Sequence, residues 1–326
     1  MDLLADVLAV SGVRGTLGAR IEAGESWGLW WSGIPGAAFH AVTAGVAWLG
    51  VPGQPPVKLM PGDVVLLPTG ADHSLSSDPA TVARPCDHVA ASQARADGKV
   101  LTFGIGPVQT HILSASYTHD PAVSIQVLTL LPDVVHLRAD HGGSCLSDTV
   151  RLLARELAHP QIATTVVLNS LVDVLLVQLL RVWLASHPVH GEGSWLGVLS
   201  DPVMSQALTK LHQDPARNWT METLAAEISV SRATLSRRFP AVVGRTPGDY
   251  LTNWRMDLAA LRLRDTDDDL EAIACSVGYT SVYAFSRAFS RTRGEPPGRY
   301  RTTSRIRPQN RSQVHNKHSI MNDIGA

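Results

Sequence analysis

Two arginines, Arg237 and Arg287, stand fifty residues apart in matching local sequences, SRATLSRRF from Ser231 and SVYAFSRAF from Ser281. A guanidinium can form two parallel hydrogen bonds to O6 and N7 of guanine. A helix that carries such an Arg beside Ser or Tyr therefore has the chemistry to read a base edge. Arg232, Arg238, Arg291 and Arg293 lie around the pair, and charges of this kind hold phosphate, which positions without specifying sequence. The first half of the chain offers other chemistry, at His40, His73 and Cys86. A mononuclear metal centre takes three or four N/O ligands, so two imidazoles are too few without recruits such as His88, His111 or Cys86. They suit a structural role or an organic-ligand pocket. Cys86, in a polar loop with His88, fits an oxidisable thiol of low pKa.

The elements that must position the arginines are legible. From Asp268 to Tyr300 the chain reads as a short helix, a tight turn at Val277-Gly278-Tyr279 and a second helix from Ser281. Asp268 and Glu271 have the spacing of a capping box. Gly278 supplies the left-handed conformation of a sharp turn. Val282, Phe285 and Phe289 share one apolar face, and Tyr283, Ser286, Arg287 and Ser290 share another. Sliding the chain by fifty residues superposes Ser231 on Ser281, Phe239 on Phe289, Gly244 on Gly294 and Tyr250 on Tyr300. Self-similarity of this kind marks two copies of one structural unit. In the first copy Thr220 caps a supporting helix Met221–Ile228. The reading helix Ser231–Phe239 buries Leu235 and Phe239, with Val242 beyond, and turns Ala233, Ser236 and Arg237 outward. Ser229 replaces the turn glycine, and Pro240 is expected to end the helix early. Thr246-Pro247 starts a connecting helix from about Gly248 to Leu263. Its job is spacing, because two reading helices about 34 Å apart enter successive major grooves.

Together with YLTNWRMDLAALRLR, AFSRAFSR and GEPPGRYR, the repeat makes residues 199–301 resemble the DNA-binding domain of the AraC/XylS family of bacterial transcription regulators. The resemblance implies double-stranded promoter DNA as partner, RNA polymerase as a second partner for an activator, and a non-palindromic half-site for each protomer. It carries groove contacts onto Ala233, Ser236, Val282, Tyr283 and Ser286, beside Arg237 and Arg287, while Arg232, Arg238, Arg291 and Arg293 suit phosphate.

Residues 1–145 are rich in short apolar runs between Gly and Pro, with strands expected at 13–21, 27–31, 38–42, 46–51, 57–59, 64–67, 73–76 and 99–105. Many short strands argue for a barrel or jelly roll. The segment Gly62 to His73 has the spacing G-x5-P-x-G-x2-H and resembles the second motif of the cupin fold. That family's first motif would add two His and a Glu; here His40 stands alone, Val42 occupies a ligand position and no Glu follows. The expectation is a cupin-like sensor with no metal and no cofactor, binding a small-molecule effector near His40, His73, Trp30 and Trp48. Two alternatives are an oxidant sensor acting through Cys86 and a metal-dependent cupin enzyme fused to a DNA-binding domain.

Residues 146–190 read as two helices, the second long and apolar but striped by Asn169, Asp173 and Arg181. Charges at mid-span are expensive in lipid, so a buried or dimer-forming helix is expected rather than a membrane span. Residues 191–198 read as a linker and 302–326 as a disordered tail. From residue 200 onward the chain has 18 Lys and Arg against 13 Asp and Glu, and before it 10 against 16. A basic C-terminal part suits a nucleic-acid binder. Three widely spaced cysteines and no basic leader fit the cytoplasm. The fold class expected is multidomain: an all-β cupin-like barrel, a helical dimerisation segment giving a homodimer, and an all-α domain with two helix-turn-helix units.

Overall fold

The computed structural model describes residues 2–87, 100–119, 123, 127–139, 143–187, 195–199 and 201–310. Described residues within 11–119 and 127–187 form one compact unit; those within 2–10, at 123 and within 195–310 form a second. His88, residues 191–194 of the expected linker and the tail beyond 310 lie outside the described residues; residues 195–198 of that linker are helical instead.

The first unit is a two-sheet β structure. Strands β1 (Arg14–Ala23), β3 (Ala37–Ala44), β6 (Val64–Leu67), β9 (Leu101–Phe103), β10 (Thr110–Thr118) and β11 (Val135–Leu137) form one sheet in the order β11-β6-β3-β10-β1-β9. Strands β2 (Gly28–Trp31), β4 (Ala47–Gly50), β5 (Val57–Leu59), β7 (His73–Ser76) and β8 (Arg84–Pro85) form the other, in the order β5-β4-β7-β2-β8. The alternation of β1 sends Leu17, Ala19, Ile21 and Ala23 inward, as period-2 geometry requires. Ala19, Ile21 and Ala23 meet Leu29, Trp31, Val42, Leu49, Leu67, Leu75 and Ile112 in one core. The turn before β7 depends on Gly70, whose φ is +65° and where a Cβ would run into the Gly36 carbonyl.

Strand β10 was not among the expected strands, yet it is central, paired with β1 on one side and β3 on the other. Its sequence THILSASYT looks too polar for that place. The polar side chains find partners: Ser114 bonds His40, Thr110 donates to the Val46 carbonyl, and the buried Tyr117 hydroxyl donates to the Val172 carbonyl. Burial and the nearby Asp173 push the Tyr117 phenol far above its ordinary value.

Helices α2 (Gly143–Ala158) and α3 (Thr164–Ser186) pack against β3 and β1. Helix α3 has the length and hydropathy of a membrane span. Its polar stripe has a different use. Asp173 Oδ1 accepts from the Gly15 N–H at 2.6 Å, and Asn169 Oδ1 from the Leu17 N–H at 3.5 Å. These donors lie on β1 before its pairing with β9 begins at Ile21, so the helix caps an open sheet edge.

The second unit is all-helical. It holds residues 3–10 of α1 (Leu3–Ser11), then α4 (Trp195–Val198), α5 (Pro202–Gln213), α6 (Met221–Glu227), α7 (Arg232–Val243), α8 (Pro247–Asp265), α9 (Leu270–Ser276), α10 (Val282–Arg293) and α11 (Pro297–Asn310). Thr220 caps α6 in a capping box with Thr223, and Thr246 caps α8 ahead of Pro247. The cap of α9 is Asp269, which accepts from Ala272 N, and not Asp268, which pairs with Arg262. Helix α11 runs to Asn310, so the expected disorder from residue 302 is corrected. Its Arg305 bonds Asp267 and the carbonyls of Arg264 and Thr266, closing α11 onto the end of α8.

His212 on α5 is buried, stacked on Trp254 at 3.7 Å and hydrogen-bonded to the Tyr250 hydroxyl at 2.8 Å. Burial lowers its pKa to about 3. Burial also raises the pKa of Asp6, 3.4 Å away. That contact is therefore a long hydrogen bond to a neutral ring rather than an ion pair.

Asp173→Ala strips the Gly15 N–H of its acceptor in a part-buried site. The expected loss is about 1–3 kcal/mol, read as a lowered midpoint in urea unfolding followed by barrel tryptophan fluorescence.

Candidate DNA interface and effector cavity

Each reading helix is set by a supporting helix and a left-handed turn residue. In the second copy Gly278 has φ +80° and in the first Ser229 has φ 56°. Val230 N bonds Ala225 O at 3.0 Å, and Tyr279 N bonds Ala274 O at 2.9 Å. The same turn is built twice, although a non-glycine residue in that region adds strain of about 1 kcal/mol. Helix α7 buries Leu235, Phe239 and Val243, with Val242 only half-buried. Helix α10 buries Phe285, Ala288 and Phe289. Helix α7 does not end at Pro240. It continues to Val243 because proline's fixed φ is helical and the left-handed Gly244 returns its N–H to the Pro240 carbonyl.

The outward faces hold Ala233, Ser236 and Arg237 on α7, and Tyr283, Arg287 and Arg291 on α10, all exposed; Val282 and Ser286 are half-buried. The Arg287 guanidinium lies 5.8 Å over the Tyr283 ring, so the two form one preassembled pair. The other arginines divide. Arg232 pairs with Glu222 at 2.7 Å on the exposed surface. Arg238 bonds Asp201 at 2.7 Å, the same residue that caps α5, and so ties α7 to α5. Arg293 is buried in an ion pair with buried Asp257 on α8. Arg238 and Arg293 were expected at phosphate; the structure engages both within the fold.

The two copies are also joined directly. A Cβ at Gly278 would lie 2.5 Å from the Ala216 carbonyl and 2.9 Å from the Arg255 guanidinium. Arg255, on α8, donates from Nε to Pro215 O at 2.6 Å and from its terminal nitrogen to Arg217 O at 2.9 Å. Its guanidinium sits 5.9 Å over the Tyr279 ring. One side chain thus grips the loop before the first copy and the turn of the second.

In the barrel unit a cavity of about 210 Å³ is lined by residues that include Ile21, Trp31, Ile34, His40, Cys86 and Ser114. His40 Nε2 lies 2.8 Å from His73 Nε2, and His73 itself sits behind His40 rather than in the wall. Trp31 stacks on His73 at 5.3 Å and 10°. Trp30 and Trp48, expected at the ligand, are not among the lining residues. Each occupies a half-buried position next to an inward one on its strand, and Lys58 lies 5.9 Å over Trp48. Cys86 lines the cavity, but burial and Asp87 push its thiol up, opposite to the low pKa expected, despite a hydrogen bond from Trp31. Among the described residues no group of three His, Cys, Asp or Glu converges, so they do not fit a cupin metal centre.

Residues 2–185 match the family model described as Cupin, and residues 224–303 that described as Helix-turn-helix domain. An AraC-like transcription regulator of Streptomyces lividans is 38% identical over 303 residues, spanning 92% of this chain and 98% of that protein. The transcriptional regulator AlkR of Acinetobacter baylyi is 29% identical, over 74% of this chain and 80% of that one. The RCS-specific activator RclR of Escherichia coli is 28% identical, over 92% and 97%. Among solved structures, the DNA-binding domain of AdpA in complex with a target DNA is 30% identical, covering 34% of this chain and 98% of that one with a TM-score of 0.31. The chain belongs to the AraC-type transcription regulators that carry an N-terminal cupin domain.

Arg255→Ala is expected to leave the preferred bases unchanged while widening the tolerated spacing between two DNA blocks. Titration of full-length protein against sites whose spacing steps by one base pair checks it. A second expectation concerns pH. Burial holds His40 well below 6.5, helped by His73, and burial lowers His73 as well. In the unfolded chain both titrate near 6.5. The unfolded state then binds more protons below that pH, so stability is full above about 6.5 and falls as pH drops, by at most about 1.4 kcal/mol per pH unit per histidine. Melting of the barrel unit followed from pH 7.5 to 5 is expected to show this fall, reduced in His73→Gln.

Proposed function

We propose that this regulator binds promoter DNA through both reading helices and is controlled by a small molecule held in the barrel cavity. The observation that carries the DNA half is the duplicated exposed face, Ser236 with Arg237 and Tyr283 with Arg287, on two copies fixed to each other by Arg255. Arg237 and Arg287 contact base edges; Arg232 and Arg291 hold phosphate. The cavity beside His40 supports effector control, since small-molecule sites are concave and mostly apolar with few polar groups.

Pairing of two copies rests on the outer face of the helices: Val166, Val174 and Leu152 are 66%, 44% and 37% exposed. Apolar residues left this open on paired helices suit a second copy. A regulator of cytoplasmic DNA works in the cytoplasm. Control by oxidation of Cys86 is the weaker reading, because the thiolate is the reactive form and burial disfavours it.

Selection from a random DNA pool with the full-length protein tests the reading. The expected result is two short conserved blocks about one helical turn apart; winners with a single block would overturn the double reading head. Arg287→Ala is then expected to lose about 1–3 kcal/mol at one base position and to relax preference there. An equal loss on every sequence would reassign Arg287 to phosphate.

A further inference from the structure

We infer that the effector is an uncharged, largely apolar molecule of about one ring that donates an O–H or N–H to Ser114. This deepens the effector reading and rests on it.

The direction of the hydrogen bond follows from a chain of donors with one possible polarity. His73 Nδ1 lies 2.7 Å from the Ala71 carbonyl, which only accepts, so Nδ1 carries the hydrogen. The Nε2 of a neutral His73 is then an acceptor, and His40 Nε2, at 2.8 Å, must donate to it. A neutral imidazole has one hydrogen. His40 Nδ1 is therefore an acceptor, and the group beside it at 2.9 Å is the Ser114 hydroxyl. Ser114 commits its only hydrogen to His40 and offers the cavity lone pairs alone. The assignment needs both rings neutral, and burial lowers the pKa of both. Trp31, stacked on one ring and tilted against the other at 5.1 Å, holds the pair in place.

The rest of the wall sets the body of the ligand. Ile21, Trp31, Ile34, Pro35 and Leu101 are apolar, Ser116 and Thr118 add two further hydroxyls, and none of the described lining residues is Asp, Glu, Lys or Arg. A carboxylate or ammonium entering here would lose water and meet no opposite charge among the described lining residues. An apolar cavity of about 150 Å³ suffices for benzene, so about 210 Å³ suits one substituted ring or a short alkyl chain.

Three probes of one shape separate the possibilities: p-cresol, which donates; 4-methylanisole, which cannot; and 4-methylbenzoate, which is charged. They are titrated calorimetrically into full-length wild type and Ser114→Ala, with melting curves to verify folding. The expected result is that p-cresol binds, 4-methylanisole binds at least tenfold more weakly, and 4-methylbenzoate shows no binding. Ser114→Ala should bring p-cresol down to the level of 4-methylanisole and leave the latter unchanged. If cresol and anisole bind wild type equally, the donor assignment is overturned while the cavity stands as a ligand site. Tighter binding of the benzoate overturns neutrality. If no probe binds, the effector reading fails together with the inference. Should Ser114→Ala not fold, the three probes on wild type decide alone.

Discussion

The DNA-binding unit depends on one close approach, where the Gly278 backbone packs against the Ala216 carbonyl beneath the Arg255 guanidinium. Only a residue without a Cβ fits there, and only a residue free to take a positive φ makes the turn. The first turn takes the same backbone conformation with Ser229, at φ 56°. Buried Arg293 with Asp257 adds a second tie between α8 and α10. Such a pair adds little net stability over an apolar one, but breaking it leaves a buried charge, at a cost of about 3–5 kcal/mol. It therefore fixes how α10 sits on α8, and through that where Arg287 points.

The barrel unit uses burial in another way. Several of its polar side chains are placed inside and paired: His40 with His73 and Ser114, Tyr117 with the Val172 carbonyl. Buried polar groups are tolerated when every donor meets an acceptor, and here that pairing also fixes the direction of each bond. The same rule accounts for α3, whose Asp173 and Asn169 serve the bare edge of β1. One helix thereby covers apolar surface and closes the sheet.

Much of the fold was legible from local pattern. The repeat, its caps at Thr220 and Thr246, the turn at Gly278 and the strands from β1 to β7 follow from spacing and residue type, which are local quantities. Strand β10 was not legible. Its serines and histidine break the apolar alternation, and the partners of Ser114 and Tyr117 lie on β3 and α3, far away in sequence. Trp30 and Trp31 are neighbours, so composition names the pair; strand pairing alone decides which ring turns into the cavity. Arginines show the same limit. Arg238 and Arg287 look alike in sequence, but Asp201 engages the first, while the second lies over Tyr283 on an open face.

The sequence by itself determined the helical repeat and the β-rich first half, because each rests on residue type at fixed spacing. Tertiary structure alone decided which arginines remain outward, that Arg255 joins the two copies, and that Cys86 is held as a thiol beside Trp31. It also decided that His40 and His73 meet nitrogen to nitrogen. The physical reason is common to all four: charge, hydrogen-bond direction and burial are properties of what a side chain touches, and those neighbours arrive from distant parts of the chain.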